Sequence, residues 1–229
     1  MIKIEHANLT IGGKHILNDV NFEVRQGEFV CLVGESGGGK TSVLKLISGL
    51  YKPSSGTIHT EGQVSMVFQD FALMPWLSVI QNIEFPFKVA GQPADSKKVQ
   101  QVINEIGLRG LEHKYPRDLS GGQNQRVGIA RALVVNREIL LMDEPFSALD
   151  IKTEAELRDD VLKLWNSRKL TVVMVSHSVE GAVAMADRIL VMEKGNIRKE
   201  IPVQLNRPRE ANDTQYLKFV DHIKEIIEH

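Results

Sequence analysis

Short apolar runs alternate along the chain with stretches whose apolar residues recur at helical spacing. The runs lie at 29–33, 64–68, 139–142, 172–175 and 189–192, and the helical periodicity lies at 97–106, 122–135, 153–167, 179–186 and 214–227. Short, almost entirely apolar runs are typical of strands that are buried on both faces of a sheet. The pattern therefore predicts an α/β fold in which a mostly parallel sheet is flanked by helices.

The first part of the chain has a different pattern. Residues 1–30 read as strands separated by turns, with Gly12-Gly13 and Gln26-Gly27 as breakers. We expect an N-terminal antiparallel β layer there, and an inserted helical lobe in the mostly helical middle of the chain. The expected division is one domain over 1–229, with a core and β layer at 1–69 and 136–210, the helical lobe at about 70–135 and a C-terminal helix at 211–229.

Composition excludes several classes of protein. A hydrophobic share of 42% is enough for a sizeable core, and 28 Lys plus Arg against 29 Asp plus Glu predict no basic surface for nucleic acid. The apolar runs are far shorter than the roughly 18 residues that a membrane span needs. Cys31 is the single cysteine and lies in a predicted buried strand, so neither a disulfide nor a metal role is expected. The chain starts with a strand pattern rather than a signal peptide, which predicts a cytosolic protein.

Residues Gly34 to Ser42 read GESGGGKTS and match the pattern G-x-x-x-x-G-K-S/T. The string lies between the apolar run at 29–33 and a segment in which apolar residues recur at helical spacing, namely Val43, Leu44, Leu46, Ile47 and Leu50. A strand followed by a glycine-rich loop and a helix is the setting of a phosphate-binding loop. Glycines have no Cβ atom, so backbone N–H groups can close around phosphate oxygens, and the helix N-terminus adds partial positive charge. The residues expected to bind the nucleotide are Gly34, Glu35, Ser36, Gly37, Gly38, Gly39, Lys40, Thr41 and Ser42.

Three residues at the end of this loop have separate expected roles. Lys40 would reach the β and γ phosphates of a nucleoside triphosphate, and the Thr41 hydroxyl would ligate Mg2+. Ser42 would support the same first helical turn. A glycine-rich turn without a ligand is the alternative, but a chance match in a chain of this length has a probability of about 1%. We therefore favour the nucleotide site.

Polar residues follow three of the predicted strands. Asp143 would hold Mg2+ through water, and Glu144 would orient or deprotonate the attacking water. His177 is expected at the γ-phosphate, and Gln69 could reach the metal or the water. An acidic turn or a structural histidine would explain such residues by themselves. Beside the phosphate loop, we favour Gln69, Glu144 and His177 as catalytic residues, with Thr41, Gln69 and Asp143 at the metal.

A second string, LSGGQNQR, spans Leu119 to Arg126. Its two glycines open a helix whose N-terminal dipole can face an anion. Taken in order, the phosphate loop, Gln69, this string, LLMDEP, SALD and His177 resemble the ATP-binding subunit of an ABC transporter over essentially the whole chain. The resemblance implies a P-loop NTPase core, ATP as the nucleotide and hydrolysis that drives transport.

The resemblance also implies partners. Ser120, Gly121 and Gly122 would bind the γ-phosphate that a second ATPase subunit holds, so that two subunits, as a homodimer, pack head to tail with two shared sites. Asp150 would lie at the same contact. The apolar segment 71–87 would form a groove for a cytoplasmic helix of a membrane-spanning permease. Such a chain is expected at the cytoplasmic face of the cell membrane, as a peripheral subunit.

The subfamily follows from three further strings. FQDFALMPWLSV, DEPFSALD and PVQLNRPRE resemble ATPases of the nitrate, sulfonate and taurine importer group, which implies a separate solute-binding protein. This chain departs from the family at the position expected to contact adenine. The family usually has an aromatic residue there, which stacks on the base, whereas this chain has Ile11. Adenine is then expected to rest on aliphatic surface, with weaker selectivity for the base.

Other functions stay open from the sequence. A non-transport ABC ATPase would favour a basic surface, a long coiled-coil insertion or a tandem second copy, none of which the sequence contains. An ABC exporter ATPase is a further alternative. A nucleotide-binding module with little turnover is disfavoured by the presence of Lys40, Glu144 and His177 together.

Overall fold

A computed structural model describes residues 1–147 and 149–228; Ala148, which falls within the SALD string, and His229 lie outside the described residues. The strands are β1 Ile2–Ile11, β2 Lys14–Val24, β3 Phe29–Gly34, β4 Ser55–Thr60, β5 Val64–Val67, β6 Ile139–Asp143, β7 Thr171–Val175, β8 Arg188–Glu193 and β9 Asn196–Pro202. The α-helices are α1 Lys40–Ile47, α2 Val79–Val89, α3 Ser96–Glu105, α4 Gly121–Leu133, α5 Ile151–Arg168, α6 Val179–Met185 and α7 Thr214–Glu228, with a 3-10 turn at Pro116–Asp118.

A six-stranded sheet forms the centre of the fold, in the order β5-β6-β7-β3-β8-β9. Every neighbouring pair is parallel except β8 and β9, which are antiparallel. The carboxyl ends of β5, β6, β7 and β3 therefore meet at one edge of the sheet. This arrangement confirms the expected mostly parallel core, and it brings the polar residues that follow those strands to the edge that carries the phosphate loop.

A second, antiparallel sheet has the order β2-β1-β4. It confirms the expected β layer but adds β4 from outside residues 1–30. That strand was not predicted because SGTIHT has one aliphatic residue and no apolar run. β9 also lacks an apolar run, because its two isoleucines are separated by charged residues and most of its residues are exposed.

The central strands are apolar at every position because both faces of the sheet are covered. Phe29, Cys31 and Val33 pack into one hydrophobic cluster, while Val30 and Leu32 pack into another on the opposite face. The first cluster continues through buried residues of α2, α3 and α4, and the second continues into the antiparallel sheet. On the first face, Trp165 meets Phe29 edge-on at 5.8 Å between ring centroids and donates a hydrogen bond to the Gly27 carbonyl.

The helices lie close to their predicted bounds. The largest differences among the five periodic segments are two residues, at the end of α4, which is Leu133 rather than about 135, and at the start of α5, which is Ile151 rather than about 153. The middle segment contains α2, α3 and α4, and α2 begins with a capping box in which Ser78 and Gln81 bond reciprocally. Within the described residues, the helices are all too short or too polar to span a bilayer. The division of the chain into core, lobe and tail stays a prediction.

Candidate functional site

The phosphate loop connects the end of β3 to the start of α1, as the sequence predicted. Two of its positions require glycine. Gly34 has a φ of +136°, and a Cβ atom there would lie 2.1 Å from the Met192 carbonyl oxygen on β8. Gly39 has a φ of +94°, and its Cβ atom would lie 2.6 Å from the Leu17 side chain on β2. The loop is therefore clamped between the central sheet and the antiparallel sheet.

Lys40 lies inside this loop and is only 4% exposed. Its ammonium donates hydrogen bonds to the carbonyls of Gly34 at 2.8 Å and Glu35 at 2.7 Å. Burial lowers the pKa of Lys40, while the nearby carboxylates of Glu144 and Asp143 oppose that shift. The loop thus holds a buried cation at the N-terminus of α1, where the helix dipole also favours anions.

Thr41 and Asp143 place a hydroxyl and a carboxylate beside this cation. The Thr41 hydroxyl donates a hydrogen bond to Asp143 Oδ1 at 2.9 Å, joining the first turn of α1 to the end of β6. Asp143 is 5% exposed, and burial raises its pKa above the usual range despite the bond from Thr41. Hydroxyl and carboxylate oxygens are the ligands that Mg2+ prefers.

Glu144 follows Asp143 and turns its side chain between two strand ends. Its backbone has a φ of +48°, which is uncommon for a residue with a Cβ atom and costs about 1–3 kcal/mol. One carboxylate oxygen contacts His177 Nε2 at 2.5 Å, and the other accepts a hydrogen bond from Gln69 Nε2 at 2.9 Å. Gln69, Glu144 and His177, which follow three different strands, therefore meet at one edge of the sheet.

The Glu144 backbone is held by neighbouring backbone groups. Its N–H donates to the Val175 carbonyl at 3.1 Å, which ties it to the end of β7. The Ser147 hydroxyl and the Ser147 N–H both donate to the Glu144 carbonyl. These bonds offset the cost of the left-handed conformation and fix the direction of the carboxylate.

The LSGGQNQR string forms the start of α4. Ser120 is the N-cap, and its hydroxyl and N–H form a capping box with Gln123. Gly122 faces α5, where an added Cβ atom would lie 2.4 Å from the Thr153 side chain. No hydrogen bond of residues 1–147 and 149–228 joins Ser120, Gly121 or Gly122 to the phosphate loop. Within one chain, these three residues of the LSGGQNQR string are therefore not hydrogen-bonded to the phosphate loop.

Asp150 and Ile11 lie outside the Glu144 cluster. Asp150 is the N-cap of α5, where its carboxylate accepts a hydrogen bond from the Thr153 N–H at 3.1 Å. Ile11 ends β1 and is 44% exposed, in a hairpin whose second strand carries Leu17 against the phosphate loop. The hairpin thus presents an exposed aliphatic side chain on the strand pair that flanks the loop.

Arg131 of α4 is a residue that the sequence reasoning missed. Its guanidinium donates to the carbonyls of Phe71 at 2.7 Å and Ala72 at 2.6 Å, just after Gln69. Phe71 and Ala72 both have positive φ, at +60° and +46°. Arg131 therefore holds a strained turn that connects Gln69 to the helical segment. A long charged residue within the apolar periodicity of α4 was the available signal.

The fold and the loop together define the class of protein. A glycine-rich loop from β3 to α1, with carboxylates at the end of a parallel strand, is the site of a P-loop nucleoside triphosphatase. The sequence model of the ABC transporter family matches residues 17–147, and the chain belongs to this family. It is an ATP-binding subunit that hydrolyses ATP.

Curated relatives and a solved structure share this architecture. The chain is 37% identical over 251 residues to the nitrate import ATP-binding protein NrtD of Synechocystis sp., with 99% of this chain and 94% of the relative covered. It is 43% identical over 204 residues to the aliphatic sulfonates import ATP-binding protein SsuB 2 of Pseudomonas syringae pv. tomato, covering 88% and 87%. The dimeric post-hydrolysis structure of the ATP-binding cassette MJ0796, bound to ADP and Pi, has a TM-score of 0.80 and 31% identity over 90% of this chain and 100% of that one.

Proposed function

We propose that this chain is the ATPase of an importer for a small solute such as nitrate, a sulfonate or taurine, and that it acts through a separate permease. The similarity to NrtD and SsuB 2 over most of both chains supports the import of a small anion. The observation that carries the enzymatic part is the set of contacts around Glu144. A carboxylate held between a histidine and an amide, beside a buried lysine, suits the activation of water next to a phosphate.

ATP binding would use the charges of the phosphate loop. The carboxylates of Glu144, Asp143 and Glu35 lie near Lys40, and Lys45 is a second ammonium near Asp143, so carboxylates outnumber ammonium groups before a polyphosphate enters the site. A divalent cation would offset this excess of negative charge, and Mg2+ supplies positive charge to the phosphates when bound. The oxygen atoms of Thr41, Asp143 and Gln69 fit it as ligands, directly or through water. Lys40 would exchange its two carbonyl partners for phosphate oxygens.

Hydrolysis would depend on Glu144, His177 and Gln69. Glu144 accepts a proton from the attacking water or orients it, and His177 contacts both the γ-phosphate and the carboxylate. Gln69 holds the second carboxylate oxygen, and its turn leads into the segment 71–87. That connection lets the site respond to a partner bound at the helical segment.

A complete site would need a second copy of the chain. Ser120, Gly121 and Gly122 lie at the N-terminus of a 13-residue helix, whose dipole favours an anion. We place them on the γ-phosphate of the partner subunit, with Asp150 at the same contact. The dimer of MJ0796 supports this arrangement, because that cassette is similar over 90% of this chain.

The permease would bind the apolar segment 71–87. Trp76 is 70% exposed there, and a cavity of about 330 Å³ lies alongside, between Leu77 and Ala94. Exposed aromatic surface of this kind is typical of protein contacts. The subunit would then sit at the cytoplasmic face of the membrane through its permease, and a solute-binding protein would deliver the solute without touching this chain.

The central test compares Glu144→Gln with wild type. We expect the rate of ATP hydrolysis at saturating ATP and Mg2+ to fall by about 10²- to 10⁴-fold, with ATP affinity retained. Glu156→Gln is the matched control, because Glu156 is an exposed carboxylate on α5. Equal rates for Glu144→Gln and wild type would refute the catalytic assignment.

Two further measurements test the dimer and the transport role. The specific ATPase activity should rise with protein concentration, and it should fall when Ser120→Arg is introduced, because a shared site needs both strings. In vesicles that contain the permease and the solute-binding protein, nitrate or sulfonate should accumulate only with ATP on the side of this subunit. Transport in the opposite direction would indicate an exporter, and a permease-free complex with DNA would indicate a non-transport ATPase.

A further inference from the structure

The orientation of the His177 ring depends on the backbone around it. The ring contacts Glu144 at 2.5 Å, yet 46% of the His177 side chain is exposed, so packing alone does not hold it. The residue lies in the short turn between the end of β7 and the start of α6. A small rotation of that turn would move Nε2 away from the carboxylate.

Two serines close the turn. The Ser176 hydroxyl donates to the Ser178 carbonyl at 2.9 Å and accepts from the Ser178 N–H at 3.1 Å. The Ser178 hydroxyl caps α6 by accepting from the Gly181 N–H at 2.9 Å, and it donates to Glu180 Oε2 at 3.1 Å. A hydroxyl has one donor and two acceptor positions, and each of these serine hydroxyls uses its donor position and one acceptor position. The turn is therefore tied to the Glu180 side chain.

Glu180 is in turn held by the C-terminal helix α7. Lys224 Nζ lies 2.7 Å from Glu180 Oε1, and the Tyr216 hydroxyl donates to the Glu180 carbonyl at 2.8 Å. The hydrogen bond from Lys224 is the main cause of the lowered pKa of Glu180, so the carboxylate stays ionised at neutral pH. Both carboxylate oxygens of Glu180 are thus used, one by the turn and one by α7.

The helix α7 is itself firmly anchored. Tyr216, Val220 and Ile223 are buried at 4%, 3% and 0% exposure, and Arg198 of β9 donates to the Ile226 carbonyl near the end of the helix. In contrast, α6 has only seven residues, a length that is marginal for a helix without tertiary support. Buried residues of α6 such as Ala182 and Val183 pack into the core cluster, while the contacts that hold Glu180 come from α7.

We propose that Tyr216 and Lys224 are positioning residues for ATP hydrolysis. Through Glu180, they fix the turn that aims His177 at Glu144. This inference rests on the proposed roles of His177 and Glu144. It assigns a part in the reaction to α7, a helix that lies outside both the phosphate loop and the LSGGQNQR string. A role in stability alone would predict a different result, since it would change the folded fraction without changing the turnover of each folded molecule.

The experiment uses the full-length protein with Tyr216→Phe and Lys224→Gln, which remove one contact each and leave the buried face of α7 intact. We expect kcat for ATP to fall about 3- to 10-fold, because a displaced catalytic group loses rate even when binding persists, while KM for ATP stays within about twofold. The His177 ring resonance, assigned from its loss in His177→Ala, should shift in both variants. Lys224→Arg should restore kcat.

Controls separate the possible failures. Lys218→Gln, at an exposed lysine of the same helix, should keep the wild-type kcat and the wild-type His177 resonance. Wild-type kcat and an unshifted resonance in both test variants, with Glu144→Gln inactive, would overturn this inference and leave the proposed function intact. A loss of kcat that only follows the unfolded fraction measured by circular dichroism would also overturn it. An active Glu144→Gln would overturn the proposed function and this inference together.

Discussion

Gly34 offers a direct test of how closely the phosphate loop packs on β8. Gly34 pairs with Met192 in the parallel register of β3 and β8, at the point where the chain leaves the sheet. A Cβ atom there would lie 2.1 Å from the Met192 carbonyl oxygen. Gly37 lies in the same loop with a φ of +77°, but a Cβ atom there would meet no atom within 4 Å. The two positions therefore differ in contact, while both have positive φ.

The expected cost of Gly34→Ala has two parts. The positive φ costs about 1–2 kcal/mol for a residue with a Cβ atom. Forcing an extra carbon into a packed site costs about 1–3 kcal/mol more. The free energy of unfolding should fall by about 2–5 kcal/mol for Gly34→Ala and by about 1–2 kcal/mol for Gly37→Ala.

Urea unfolding without nucleotide measures this difference. The midpoint should fall for both variants, and further for Gly34→Ala, while the denaturant slope stays constant because the area exposed on unfolding is the same. Gly34→Ala should also weaken ATP binding, since β8 and the loop must move apart. Equal midpoints for the two variants would refute the close approach of Gly34 to Met192.

Three further predictions follow from the site. Arg131→Met should lower the free energy of unfolding by about 2–5 kcal/mol, because the carbonyls of Phe71 and Ala72 lose charged donors. In the same urea assay, Arg131→Lys should recover only part of this lost free energy. Burial raises the pKa of Asp143, so its contribution to stability is present below the unfolded pKa of about 3.9 and is lost as the pH rises through the higher native value. Asp143→Asn should therefore stabilise the nucleotide-free protein at pH 7, with a smaller difference at pH 4, and no such pH dependence would contradict the shift. Ile11→Tyr should tighten ATP binding at least about 5-fold in a fluorescence titration, by stacking on adenine, and an unchanged affinity would mean that the base binds elsewhere.

The sequence predicted the central sheet because its strands are buried on both faces. Phe29 to Val33 cannot alternate polar and apolar residues when each side chain meets a hydrophobic cluster, and the resulting run is easy to detect. The position of Glu144 followed from the same fact. Once β5, β6 and β7 are parallel neighbours, the residues after them must meet, and Gln69 and His177 do so on the two oxygens of Glu144.

Contacts between distant segments could not be predicted in this way. The Arg131 guanidinium donates to carbonyls about 60 residues earlier in the chain. Every residue has a backbone carbonyl, so a sequence does not show which carbonyls accept such a bond. The hydrogen bond from the Tyr216 hydroxyl to the Glu180 carbonyl also joins a side chain to a distant backbone carbonyl. The strands β4 and β9 were missed for a different reason, since their exposed polar residues lack an apolar run.

The strand that ends in the phosphate loop is shared by both hydrophobic clusters. Phe29 and Cys31 belong to one cluster and Val30 to the other, so β3 has no face that can loosen by itself. Local opening of either the helical segment or the antiparallel sheet would expose only one side of this strand and would leave its backbone hydrogen bonds to β7 and β8 in place. We expect backbone amides of β3 to exchange with solvent only in global unfolding, which would make the base of the nucleotide site the slowest-exchanging part of the chain.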